Sequence, residues 1–321
     1  MNKIKIVKNR SDIGAGTRGA DMGIDAIEIA AINAQSDFFN RYDYIDVATK
    51  NEAVYEKQNT PYAKRIGKVL EVCSHLCETV QATFKENYFP IVLSGDHSSA
   101  LGTNSGVKMA FPDKTIGVIW IDAHADIHSP YTTPSGNVHG MPLAAALAED
   151  NMDRKVNEVT GDTNENWEGM KNIGGISPKI THENLVYFGV RDTEEPEEYA
   201  LSKNKIRNYM VHEVRYRGLD VCVDEAIAQL KNCDFIYISF DVDSMDCDLI
   251  SKGTGTPVSK GFDQDEVKQI INRIIATQKV VCIEVVEVNP CLDDKGNAMA
   301  EAAFDVINDF TKSIEKYCIK K

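Results

Sequence analysis

At 321 residues the chain exceeds the commonest domain size yet stays within reach of one large α/β domain, and no linker-like stretch divides it. Its formal net charge of −14, from 35 basic and 49 acidic side chains, argues against nucleic-acid or acidic-membrane partners, which are bound by neutralising phosphate. The charge fits a site that collects cations, although any acidic cytosolic protein carries the same balance.

The first segment, MNKIKIVKNRSD, has no long apolar region and no small-residue cleavage site, and no later run is long enough to span a bilayer. A cytoplasmic protein is expected. Eight cysteines (73, 77, 222, 233, 247, 282, 291 and 318) are scattered without a CxxC pair, and several sit in apolar runs, so they read as reduced packing residues. Ile4–Val7 reads as the first strand. Gly14, Gly16 and Gly19 then spell GxGxxG, but the polar stretch Lys8–Asp12 separates them from the strand and the helix pattern begins only after Met22. A dinucleotide site needs a tight strand-turn-helix, so these glycines read instead as a loop at the rim of a pocket.

Helix-period apolar residues run from Ile24 to Phe39, followed by a short strand at 44–47. Ile66, Val69, Leu70, Cys73, Leu76, Cys77 and Val80 put one apolar stripe on a long helix within 61–85. Phe89–Leu93 is a buried strand that runs into Ser94-Gly95-Asp96-His97-Ser98 and a helix-like segment to Phe111. The next strand carries Ile116, Val118, Ile119 and Ile121 and ends in Asp122, His124 and Asp126 at alternate positions. Side chains two apart on an extended segment point the same way, so two carboxylates and an imidazole can be aimed at one point. With no basic residue among them, a metal ion is the natural occupant.

From about 149 to 180 the chain is polar and irregular, with Trp167 its one large anchor, and reads as a surface excursion with some helix and no chemistry. Strand signals resume at 185–190 and end in Arg191-Asp192-Thr193-Glu194-Glu195. That acidic run suits a helix N-terminal turn or the lining of a pocket that receives an amine. A strand at 209–211 and a helix at 220–230 lead to the strand 235–240, which ends in Asp241 and Asp243. The loop GTGTPVSKGF precedes a helix at 266–275, the last strand (280–286) ends at Glu287, and a helix from 298 to 317 closes the chain.

Strand and helix in repetition predict an α/β fold in one domain, a parallel β-sheet flanked by helices on both faces, with ligands at the carboxyl ends of the strands. Four strand ends offer His97, then Asp122, His124 and Asp126, then Asp241 and Asp243, then Glu287. Two histidines and four aspartates are too many for one divalent ion with an open position, and carboxylate plus imidazole suits manganese better than a thiolate-loving metal. Two such ions, roughly 3.5–4 Å apart in known sites, can share a water and ionise it near neutral pH.

The segments SGDHS, WIDAHADIHSPYTTPSGNVHG, SFDVDSMD, GTGTPV and EVNP together resemble the ureohydrolases, and TTPSGNVHG resembles the arginase branch more than the agmatinase branch. The resemblance spans most of the chain and implies an arginase/deacetylase-like fold, two Mn2+ per subunit and hydrolysis of L-arginine to L-ornithine and urea. By the same resemblance His97, Asp122, Asp126 and Asp241 hold one ion, and His124, Asp122, Asp126 and Asp243 surround its neighbour. A bridging hydroxide attacks the guanidinium carbon, Asp126 orients it and takes its proton, His139 relays a proton to the leaving amine, and Glu287 pairs with the guanidinium.

Thr133, Ser135 and Asn137 are implied to receive the substrate carboxylate, Asp192, Glu194 and Glu197 the ammonium, and Thr256 to lie in the hydrogen-bond network on the metal side. His128 stands where the arginase pattern has Asn and is implied still to offer a donor to the substrate carboxylate, and Glu194 stands where it has Asp and still offers a negative charge one methylene further out, so the length and identity of the substrate tail are the open question. SMDCD also lacks the proline often found after DVDxxD, and Cys247 there reads as a packed loop residue. A homo-oligomer, trimer or hexamer, is implied as well. The competing readings are another ureohydrolase, such as an agmatinase or formimidoylglutamase, and a non-catalytic metal-binding homologue, against which the full ligand set with Glu287 speaks.

Overall fold

A computed structural model describes residues 1–319. In chain order the elements are β1 (Lys3–Asn9), α1 (Gly23–Asn33), α2 (Phe38–Arg41), β2 (Asp43–Asp46), α3 (Ile66–Lys85), β3 (Tyr88–Ser94), α4 (Ala100–Ala110), β4 (Ile116–Ile121), α5 (Pro142–Leu147), α6 (Asp162–Lys171), β5 (Leu185–Phe188), α7 (Glu195–Lys203), β6 (Arg207–Tyr209), α8 (Val211–Arg217), α9 (Leu219–Gln229), β7 (Phe235–Asp241), α10 (Gln264–Ile275), β8 (Val280–Val286) and α11 (Ala298–Tyr317). The strands form one sheet in the order β2-β1-β3-β8-β7-β4-β5-β6, with every pairing parallel.

Alternation along each strand builds two cores, as a sheet buried on both faces requires. On one face Ile6, Ile91, Leu93, Ile119, Ile121, Ile238 and Ile283 pack with α1, α9, α10 and α11. On the other, Val7, Val92, Val118, Trp120 and Tyr237 pack with α3, α4, α5 and α6. Segment 149–180 lies over this second core, and its polar run conceals an apolar inner side on which Trp167 and Met170 are fully buried.

Several boundaries differ from the sequence reading. The helix expected over 24–39 breaks after Asn33, where Gln35 adopts φ 53, and resumes as α2. α3 starts at Ile66 because Arg65 is left-handed at φ 59. The strand expected at 209–211 ends at Tyr209, and Val211 opens α8, which the pattern did not announce. A three-residue strand followed at once by a one-face helix leaves no window long enough for either period to register.

Strand order is what positions the site. The chain lays down β3, jumps to β4, and later fills the gap with β7 and β8, so β3, β8, β7 and β4 are neighbours whose carboxyl ends share one edge. Parallel strands lie about 4.8 Å apart, close enough for side chains from adjacent ends to meet. At the end of β3 the turn is pressed against the N-terminal loop: a Cβ on Gly95 would sit 2.1 Å from the Ser11 carbonyl oxygen. Gly95→Ala is therefore expected to destabilise the fold by about 1–3 kcal/mol, the usual range for forced overpacking. Chemical denaturation reads this directly, and an unchanged midpoint would show that the turn yields freely.

Candidate metal centre and substrate pocket

Three of the four central strand ends use one local device. The side chain of Asp122 accepts from the His124 backbone N–H (2.7 Å), that of Asp241 from Asp243 N–H (2.8 Å), and that of Asp96 from Ser98 N–H (2.9 Å). An aspartate that bonds the backbone two residues on turns the chain sharply and fixes its own carboxylate at the same time. The carboxylates are thus aimed before any ligand arrives.

His97 follows β3. Its ring stacks on Trp120 at 4.1 Å between centroids, and Nε2 lies 2.8 Å from the Ser239 hydroxyl. The other nitrogen, Nδ1, lies 3.0 Å from Asp122 Oδ2, 3.0 Å from Asp126 Oδ2 and 3.1 Å from Asp241 Oδ2. It is buried yet makes no properly directed hydrogen bond to any of them. A second set adjoins the first: His124 Nδ1 is 3.5 Å from Asp122 Oδ1 and 3.0 Å from Asp243 Oδ2. Asp122 thus turns one oxygen to each set. Asp126 belongs by distance to the first set only.

Burial and mutual repulsion push the Asp126, Asp241 and Asp243 carboxyls up, whereas His124 and His97 outweigh burial at Asp122 and pull it down. Buried carboxylates this close resist common ionisation, and cations among them would remove that resistance. The orphaned His97 Nδ1 and the all-oxygen and imidazole donors fit two divalent metal ions. No thiol contributes.

Glu287 follows β8 and is 1% exposed. Its Oε1 accepts from the His97 backbone N–H (2.9 Å) and meets His139 Nδ1 (3.1 Å), while Oε2 is buried without a partner. Asp126 (φ 50) and Glu287 (φ 67) both hold the left-handed backbone that side chains other than glycine seldom adopt. Such strain persists only where the surroundings enforce it, as the Glu287 N–H bond to the Gly95 carbonyl (2.7 Å) does here.

Above these groups opens a cavity of about 250 Å³ whose wall includes His128, Thr133, Ser135, Asn137, His139, Glu194, Glu197 and Thr256. Asp122 and Glu287 lie behind it. The glycine-rich loop, expected at the rim, lends no residue to that wall and instead braces it: Asp96 accepts from Gly14 N–H (2.8 Å), and the Gly14 carbonyl accepts from His139 N–H (3.2 Å). Thr256 donates to Asp243 Oδ2 (3.1 Å). Asp192, two-thirds exposed, stands 3.6 Å from His124 Nε2, so it supports a histidine as well as lining the wall. His128 meets Glu194 (3.1 Å), and Glu197 lies just beyond (3.7 Å).

Trp120, Ser239 and Arg191 escaped the sequence reading. Arg191 donates to the carbonyls of Asp243 (3.0 Å), Val258 (2.8 Å) and Ser259 (3.0 Å), tying down the loop that bears Asp243 and Thr256. Trp120 and Ser239 look like ordinary strand residues because their partners are far away in sequence. Arg191 could have been suspected, as a charge at a strand end.

The Arginase family profile matches residues 2–312. An arginase from Brevibacillus brevis is 37% identical over 299 residues, covering 91% of this chain and 93% of that protein. One from Bacillus caldovelox is 34% identical over 307 residues, covering 94% and 96%. A crystal structure of the arginase from Bacillus subtilis subsp. subtilis str. 168 superposes with a TM-score of 0.81 at 32% identity, covering 96% of this chain and 98% of that one.

Burial lowers the affinity of His139 for a proton, but its hydrogen bond to Glu287 outweighs this and raises the pKa from 6.5 to about 9. A raised histidine contributes stability that is complete below the unfolded value of 6.5 and is lost as pH rises through about 9. The gap in unfolding midpoint between the chain and His139→Asn should therefore be widest at or below pH 6.5 and close toward alkaline pH. A gap independent of pH would mean the pair carries no charge.

Proposed function

The chain belongs to the arginase family, and on that premise we propose that it hydrolyses L-arginine to L-ornithine and urea at two manganese ions. It is a ureohydrolase-type enzyme. The observation that carries the substrate reading is Glu287 Oε2, a buried carboxylate oxygen with no protein partner. A guanidinium offers planar N–H donors of opposite charge, the group that satisfies such an oxygen best. Manganese is favoured by six imidazole and carboxylate donors without a thiol.

His97, Asp122, Asp126 and Asp241 would hold one ion and His124, Asp122 and Asp243 the other, with Asp126 reaching the second ion only on the strength of the family resemblance. When bound, the pair supplies Lewis acidity and lowers the pKa of water. The chain supplies the rest. Glu287 fixes the guanidinium plane and keeps its charge compensated as the carbon becomes tetrahedral. Asp126, its backbone strained into place, orients the attacking water and accepts its proton. His139 lies on the cavity wall with Nδ1 tied to Glu287, which leaves Nε2 to carry a proton to the departing amine as the C–N bond breaks. Because its pKa lies at about 9, the imidazole is a proton donor at neutral pH.

Thr133, Ser135 and Asn137 would receive the substrate carboxylate, with Asp192, Glu194 and Glu197 near the ammonium. Seven buried or half-buried free cysteines and one exposed one suit a reducing cytoplasm. We take the chain as one domain with a peripheral 149–180 segment, assembled as a trimer or hexamer.

Manganese-loaded protein should release urea from L-arginine and much less from agmatine, which lacks the carboxylate; equal rates would remove the role given to Thr133, Ser135 and Asn137. Glu287→Gln should cut kcat/KM for arginine by about a hundredfold or more while metal analysis still finds two ions per chain. Asp126→Asn should abolish urea release, and near-normal turnover would end its role as proton acceptor.

A further inference from the structure

The two positions at which the tail pocket departs from the arginase pattern, His128 and Glu194, touch each other. They follow different strands, β4 and β5, yet His128 Nε2 lies 3.1 Å from Glu194 Oε2 and 3.7 Å from Glu197 Oε2. The second ring nitrogen, Nδ1, lies 3.0 Å from the Thr132 hydroxyl. The ring itself is buried, at 5% exposure. Glu194 Oε2 is a carboxylate oxygen, which can only accept, so the 3.1 Å contact assigns the hydrogen to Nε2. Nδ1 then accepts from Thr132.

Two consequences follow from this bonding. An asparagine amide at position 128 would keep a free N–H for an incoming carboxylate, but both nitrogens of His128 are already engaged by protein groups. The Nε2 hydrogen also points at Glu194, an acidic side chain that a substrate ammonium would need, whereas Glu197 is held by the backbone N–H groups of Glu194 and Ile127. The extra methylene of glutamate over aspartate is what lets the carboxylate reach the ring. One departure makes sense of the other.

We propose that His128 and Glu194 form one specificity-determining unit in which the imidazole N–H competes with the substrate α-ammonium for the Glu194 carboxylate. The enzyme therefore selects its substrate chiefly by guanidinium and carboxylate, and accepts guanidino acids that lack the α-amino group. This inference rests on the ureohydrolase reading above and refines its substrate class.

The test compares kcat/KM for L-arginine and 5-guanidinopentanoate, which is arginine without its α-amino group, in the manganese-loaded chain, His128→Asn, Glu194→Asp and the double variant. Freeing Glu194 should raise selectivity for arginine by about tenfold in His128→Asn, through a lower KM for arginine, as expected for a charge-assisted bond gained. Glu194→Asp withdraws the partner and should shift selectivity in the same direction, so a failure of His128→Asn to fold does not end the test. The double variant should add little to either single change, because both remove the same contact. Selectivity unmoved in the single variants, or strictly additive effects, would overturn the pair.

Calorimetric affinities of L-ornithine and 5-aminopentanoate for the same four proteins give a readout that needs no turnover. That preference appearing without urea release from any guanidino compound would sustain the pair and overturn the hydrolase reading. Urea release without it would do the reverse.

Discussion

Asp122 faces two histidines with its two carboxylate oxygens, Oδ2 toward His97 and Oδ1 toward His124, and the rest of the site is arranged around that division. A carboxylate that serves two donor sets must not rotate. Trp120 Nε1 donates to one oxygen (2.8 Å) and the His124 backbone N–H to the other (2.7 Å), so each is anchored on its own side. The same tryptophan is the surface on which the His97 ring lies. One side chain of β4 therefore sets both the carboxylate that joins the two donor sets and the ring that faces it.

Rigidity here is bought with strain. Asp126 and Glu287 take left-handed backbone angles, which cost of order 1–3 kcal/mol each, in regions with almost no freedom to relax. Flanking bonds oppose the relaxation. The Asp126 carbonyl accepts from Leu143 N–H (3.1 Å), and Glu287 N–H is held by Gly95 (2.7 Å), itself wedged against Ser11. Since the Gly95 turn also delivers His97, the proposed metal ligand and the proposed guanidinium partner share one backbone contact.

Strands β1, β3, β4, β5, β7 and β8 were legible in the sequence because buried parallel strands are apolar runs, and the strand-end motifs because those runs give way to charged residues. Asp122, His124 and Asp126 needed only the two-residue period of an extended chain to be read as convergent. The break after Asn33 was hidden, since Ile24–Phe39 keeps a helical spacing of apolar residues through Gln35, whose left-handed angle leaves no trace in that pattern. β6 was placed two residues late and α8 was missed for the opposite reason, both being too short for any period to register. The contact between His128 and Glu194 is tertiary, and position alone could show two departures without showing that they meet.

The two ends of the cavity differ in a way that bears on how such an enzyme changes substrate. Asp122, Asp241, Asp243 and Glu287 are at most 2% exposed, on strand ends fixed by the sheet. The side chains of Asp192 and Glu194 are 66% and 55% exposed, on loops. A charge at the buried end acts through low dielectric, whereas one at the mouth is screened by solvent and leaves room for a neighbour of different length. Chemistry thus sits where the fold is stiff, and discrimination where it is loose. His128 lies at the junction, buried itself but bonded to the exposed Glu194.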